Sequence, residues 1–244
     1  MKLHVDSRGE GPRIALLHGG APPGNTWPWL LPLSERWRLD SVFRRGYPPS
    51  PPTERQDFDN DARDLIELLE EEPAHLVGHS YGGTGAAVAA CAQPGLVLSL
   101  TLVEPALMGV ARGDPAVEEF EQVAQAFLRD GLDAPEDVVR RFLTAAGARW
   151  PIPDPPPPSL QVVLAASRGG RPPSEADPRL ETLPQAGVPV MVVSGEHQPA
   201  IEVVCDTVAA RSGARREILA GEGHFPQRLP QFAALLEEFM RGMP

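Results

Sequence analysis

Gly78-His79-Ser80-Tyr81-Gly82 sets a serine between two glycines, each two positions away. The spacing suits an exposed nucleophile, because side chains at 78 and 82 would crowd a sharp strand-to-helix turn that pushes the hydroxyl outward, and Gly83 further eases close packing. A serine hydroxyl is weakly nucleophilic until a base takes its proton, so a histidine must arrive from elsewhere in the fold. Of six histidines, His224 in Gly221-Glu222-Gly223-His224-Phe225-Pro226 is the candidate base, on a loop between the last strand-like run and the last helix. His18 reads as a loop anchor, His79 as a group that packs within the turn, and His4 and His75 as surface or strand-edge residues.

The acid that would orient His224 has several candidates. Glu104 ends an apolar run 24 residues after Ser80 and is preferred. Ser194-Gly195-Glu196-His197-Gln198 follows a later apolar run, and Gln198 stands where a Gly-x-x-Asp arrangement would have supplied a carboxylate. Glu196, Gln198 and Glu202 therefore stay open as alternatives. The amides of Gly20 and Tyr81 are the candidate oxyanion donors, with Ala21 as a substitute for Gly20. Trp27, Trp29, Phe120, Phe127 and Phe142 are candidate lining for an apolar substrate pocket, although core packing is the commoner fate of such aromatics.

These groups need a scaffold. Apolar runs at 14–17, 39–43, 75–78, 98–103, 188–193 and 215–220 read as strands. The stretches 57–70, 82–92, 201–211 and 232–240 read as helices, the first with acids in its opening turn. Such alternation is that of a mostly parallel sheet covered by helices, an α/β fold. Residues 106–184 break the rhythm with helical stretches and the proline run Pro155 to Pro158. They are expected to form a helical lid between two parts of the core, 1–105 and 185–244.

Composition narrows the function classes. The chain has 244 residues, 42% of them apolar, enough for one domain with a full core. Its net charge of −11 opposes binding to a phosphate backbone, so no nucleic-acid partner is expected. The doublets Arg44-Arg45, Arg140-Arg141 and Arg215-Arg216 read as solvated surface. Cys91 and Cys205 show no metal-like spacing and are expected to be free thiols. The opening MKLHVDSRGEGPRI lacks a leader's apolar core, and no run reaches the ~18 apolar residues of a membrane span. A cytoplasmic protein acting on a small molecule, with no membrane partner, metal or organic cofactor, is the expectation.

Taken together, the motifs resemble the α/β-hydrolase superfamily over essentially the whole chain. His18-Gly19-Gly20 is similar to its oxyanion loop, Arg45-Gly46-Tyr47 through Ser50 to a loop usually reading R-G-x-G-x-S, Gly78 to Gly82 to the nucleophile elbow, and Gly223-His224 to the histidine loop. Two positions depart from the pattern: Pro48 replaces the second glycine of the R-G-x-G-x-S loop, and Gln198 occupies the familiar acid position. Relatives of the haloalkane dehalogenases carry their acid at the place matching Glu104, but they use an aspartate nucleophile, so Ser80 argues against haloalkane and epoxide hydrolysis. The resemblance implies a serine hydrolase cleaving a carboxylic ester of a small or medium, mostly apolar metabolite through an acyl-enzyme. Thioesterase, lactonase or carbon-carbon bond hydrolase activity would use the same machinery, and a noncatalytic ligand-binding or cyclase-like protein is the alternative of a different class.

Overall fold

A computed structural model describes residues 2–148 and 150–242. Seven strands form one sheet in the order β1-β3-β2-β4-β5-β6-β7. They are β1 (Val5–Arg8), β2 (Arg13–Leu17), β3 (Arg38–Val42), β4 (Ala74–His79), β5 (Val97–Val103), β6 (Val190–Ser194) and β7 (Arg215–Ile218). Only β1 runs antiparallel, pairing with β3. It carries too short and too polar a run to stand out in the sequence.

The central strands are buried on both faces, and alternate residues divide between two cores. Ala15, Leu17, Leu76, Val190 and Val192 face α2 (Phe58–Glu71), α3 (Ser80–Ala92) and α8 (Pro199–Ser212). Ile14, Leu16, Val77, Met191 and Val193 face the other way, toward the 3-10 segment Pro28–Glu35, which follows the short α1 (Pro23–Thr26), and toward α9 (Pro230–Arg241). In α2 the residues Phe58, Ala62, Leu65 and Leu69 recur at helical spacing and are buried, while Asp57 caps the first turn by accepting from the Asp59 amide.

Between β5 and β6 lie α4 (Pro115–Asp130), α5 (Glu136–Ala145), α6 (Pro158–Ser167) and the short α7 (Thr182–Gln185). Asp114 caps α4 by accepting from the Ala116 and Val117 amides, and Pro115 starts the helix at a position where its missing N–H costs nothing. The segment has a small core of its own, in which Phe127, Ala134, Val139 and Leu143 are buried against Phe142, Leu160 and Leu164.

The chain moves from β2 outward to β3 and then crosses to β4 on the opposite side of β2. The connections leaving β2 and β4 therefore run to opposite sides from neighbouring strand ends, the place at the carboxyl edge of a parallel sheet where ligands commonly bind. His18-Gly19-Gly20 and Ser80 sit on these two loops. Among the described residues no helix is long and apolar enough to cross a membrane.

Candidate active site

Ser80 is the first residue after β4, with φ at +53°, a left-handed conformation that a non-glycine residue adopts only under constraint. The constraint is close packing on either side. A Cβ at Gly78 would come within 2.7 Å of the Gly83 Cα, and one at Gly19 within 2.6 Å of the Ser80 Cβ, so the β2 loop lies directly against the serine. The Ala106 amide donates to the Ser80 carbonyl at 3.1 Å and ties the turn to the end of β5. Among the described residues the Ser80 side chain makes no hydrogen bond, which leaves its hydroxyl free to meet a base as substrate binds.

Glu104 leaves β5 with the same kind of backbone, φ +48°, and its side chain is 0% exposed. One oxygen accepts from the Gly195 amide at 2.5 Å, and the other lies 3.2 Å from His224 Nδ1. That second oxygen is also 3.4 Å from His197 Nδ1. Burial pushes the Glu104 carboxyl up to about 7, against the opposing pull of His197 and the Gly195 hydrogen bond. Burial likewise pushes the His224 imidazole down to about 3, with His197 and Arg228 adding to the effect. A neutral His224 with Nδ1 turned to a carboxylate keeps Nε2 as the nitrogen that can take a proton.

The elbow itself holds His224 in place. His79 Nε2 donates to the His224 carbonyl at 2.8 Å, and the two rings lie 4.8 Å apart. Burial lowers the His79 ring well below its usual range, so it is neutral and serves as a fixed donor. His18 anchors the neighbouring loop as its sequence context suggests: it is fully buried, and its Nε2 accepts from the Arg44 amide at 3.1 Å.

The acid alternatives have other surroundings. Glu202 accepts from Ser194 Oγ at 2.7 Å and from the Glu196 amide, and it pairs with Arg216. Glu196 is exposed, and Gln198 sits at the start of α8 without a side-chain capping bond.

The aromatics expected to line a pocket pack in several places. Trp27 is buried in the α9-side core, edge-on to His79, and Trp29 is 42% exposed beneath the Arg228 guanidinium. Phe127 and Phe142 stack at 4.1 Å inside the small core of the β5–β6 segment, and Phe120 lies parallel to Phe142 at 6.5 Å. Trp27 and Phe127 are fully packed, as large apolar rings gain most by leaving water altogether. From this segment Val163 of α6 reaches the β2 loop, where a Cβ at Gly20 would approach it within 3.2 Å.

Reading Arg44 as solvated surface is overturned. Arg44 is 1% exposed and pairs with Asp61 Oδ2 at 2.8 Å, while donating to the Gly19 carbonyl at 3.0 Å and to Gln56 Oε1 at 2.5 Å. Its guanidinium also lies over the Tyr81 ring at 4.8 Å. Tyr47 Oη donates to the Gly20 carbonyl at 2.9 Å. Two side chains of the loop after β3 thus brace the carbonyls of residues 19 and 20, leaving the amides of that loop free to face elsewhere. Tyr81 Oη donates to the Arg171 carbonyl at 2.9 Å, which ties the elbow to the segment between β5 and β6.

Glu104, His197 and His224 present their ligating atoms within 4.8 Å of one another, a separation that a metal-bound trio would also show. His224 Nδ1 and His197 Nδ1 approach the same Glu104 oxygen, at 3.2 and 3.4 Å. Sequence reasoning missed His197, Arg44 and Tyr47. The R-G-x-G-x-S-like loop, which contains Tyr47 and follows Arg44, offered a signal for two of them.

A model of the alpha/beta hydrolase family matches residues 14–234. A pimeloyl-[acyl-carrier protein] methyl ester esterase from Methylococcus capsulatus is 31% identical over 229 residues, covering 86% of this chain and 86% of the relative. Among solved structures, the carboxylesterase CesB from Bacillus subtilis aligns with a TM-score of 0.69 at 20% identity, over 99% of this chain and 88% of that one. A meta-cleavage product hydrolase from Pseudomonas fluorescens aligns with a TM-score of 0.65 at 20% identity, over 98% and 94%. With the sheet order, the elbow after β4 and the histidine loop before the last helix already in view, the match over nearly the whole chain leads to one conclusion: this protein is an enzyme of the alpha/beta hydrolase family.

Proposed function

We propose that the protein hydrolyses a carboxylic ester of a small or medium, mostly apolar metabolite, with Ser80 as nucleophile, His224 as general base and Glu104 as the acid that orients it. The observation that carries this reading is the pairing of His224 Nδ1 with the fully buried Glu104 at 3.2 Å, beside a serine held at positive φ. In the first step Ser80 Oγ attacks the ester carbonyl while His224 Nε2 takes its proton. The amides of Gly20 and Tyr81 receive the charge that develops on the carbonyl oxygen, and the imidazolium returns its proton to the leaving alcohol. Water, activated by the same imidazole, then releases the acyl group. Glu104 acts throughout by fixing the tautomer and stabilising the imidazolium.

Val163 beside Gly20 gives the site an apolar side, and the helices between β5 and β6 act as its lid. The esterase identity of the Methylococcus relative supports ester over amide cleavage, and an acyl-carrier-bound methyl ester belongs in the first substrate panel.

Intact-mass analysis after exposure to a fluorophosphonate probe, with peptide mapping, tests the nucleophile. A single adduct at Ser80, absent in Ser80→Ala, is expected, and the labelled site should hydrolyse short-chain esters faster than matched thioesters, lactones or vinylogous diketones. A folded wild type that takes no label would move the reading to a ligand-binding or cyclase-like protein.

A further inference from the structure

His197 has two polar neighbours, and both are acceptors. Its Nε2 lies 2.9 Å from the carbonyl of Ala145, the last residue of α5. A carbonyl can only accept, so Nε2 carries a proton. Its Nδ1 is buried with no hydrogen-bond partner and lies 3.4 Å from Glu104 Oε2. In a neutral ring with the proton on Nε2, Nδ1 would hold a bare lone pair beside Glu104 in a water-poor site, which is repulsive once that carboxyl is ionised. A second proton removes the conflict and converts the contact into an ion pair. The Ala145 carbonyl also belongs to a helix C-terminus, where unsatisfied carbonyls favour a positive group.

We propose that His197 is a positioning residue: as an imidazolium it bridges the end of α5 to Glu104, favours the ionised form of that buried acid for His224, and couples the place of the helical segment to the state of the acid. This rests on the Ser80-His224-Glu104 reading above. The groups facing the pair are His224 on the loop before α9, the Gly195 amide after β6, Glu202 and Cys205 on α8, Arg216 on β7, and Arg228 beyond His224. Glu202 is already matched by Arg216, and Arg228 is turned to the Phe225 ring, so His197 is the cation that meets the acid directly.

The test compares the pH dependence of kcat/KM, or of the fluorophosphonate labelling rate, in wild type, His197→Gln and His197→Phe. Losing an opposite charge within about 4–6 Å raises a carboxyl by about 1 to 3 pH units, so the rising acidic limb should move up by that amount in both variants. The wild-type advantage should be largest near pH 7 and shrink toward pH 9, and glutamine, which keeps a donor without charge, should recover the high-pH rate better than phenylalanine. A purely structural role would depress the rate at all pH values with the limb unmoved, and that result overturns the proposal.

A second readout needs no activity. Nitrogen NMR of histidine-labelled wild type at pH 8, where Glu104 is ionised, should show both His197 nitrogens protonated, whereas a bare Nδ1 refutes the imidazolium. If the wild type took no label, the Ser80 reading would fail while the NMR result still decided His197.

Discussion

Replacing Glu104 by glutamine should weaken catalysis and, unusually, stabilise the protein at neutral to alkaline pH. Glutamine keeps the volume and the oxygen that accepts from Gly195, but it cannot carry charge. In the native protein burial raises this carboxyl from its ordinary 4.5 to about 7. The folded state then holds a proton that the unfolded chain has already released, so the carboxyl's stabilising contribution is complete below 4.5 and is lost as pH rises through 7. A one-unit gap between the folded and unfolded pKa is worth about 1.36 kcal/mol, which makes the loss about 3 kcal/mol between pH 4 and 8. Glu104→Gln does not suffer it. Urea unfolding of both proteins at pH 4 and pH 8 should therefore give a stability difference that moves by about 3 kcal/mol in favour of glutamine at the higher pH, since interactions independent of pH cancel in this comparison. Activity should fall by about 10²-fold or more as the imidazolium loses its counter-charge, and the wild-type rate should climb as pH passes through 7. A pH-independent stability difference would refute the buried, raised carboxyl, and a glutamine variant as active as wild type would refute the acid assignment.

Two further outcomes follow from the buried contacts. Asp61→Ala leaves the Arg44 guanidinium uncompensated in the interior and should cost about 3–5 kcal/mol by chemical denaturation; it should also slow Ser80 labelling, because Arg44 braces the Gly19 carbonyl. Phe127→Ala removes the centre of the small core between β5 and β6 and should cost about 3–5 kcal/mol locally. Hydrogen exchange should show α4–α6 opening while β4 and β5 stay protected, and uniform exchange across the sheet would contradict a separate core.

Most of the scaffold can be read along the chain because it rests on local rules. The apolar runs at 14–17, 75–78 and 98–103 are β2, β4 and β5 within a residue or two, and the acid-led amphipathic run at 57–70 is α2. Period and capping act over a few residues, so they survive in the order of the letters. The elbow is equally local, since glycine spacing around Ser80 is dictated by atoms within one turn. Glu104 and His224 were nameable too, each by its place just beyond a strand.

Partnership is another matter. That Glu104 and not Glu202 meets His224 depends on β5 lying beside β6, which sends Glu104 under the Gly195 amide while Arg216, from β7, claims Glu202. That Arg44 is buried and Arg45 is not depends on which face of a loop the oxyanion segment covers. That the phenylalanines of α4 and α5 stack together depends on a second core no periodicity announces. His197 shows the difference most clearly. In the sequence it is one letter beside a missing acid, and only the packing of α5 against the end of β6 gives it a carbonyl on one side and a buried carboxylate on the other. Local sequence specifies elements and turns, because their energies are short-range. Which charges share a water-poor interior is decided by contacts between residues far apart in the chain, and those exist only once the tertiary structure has formed.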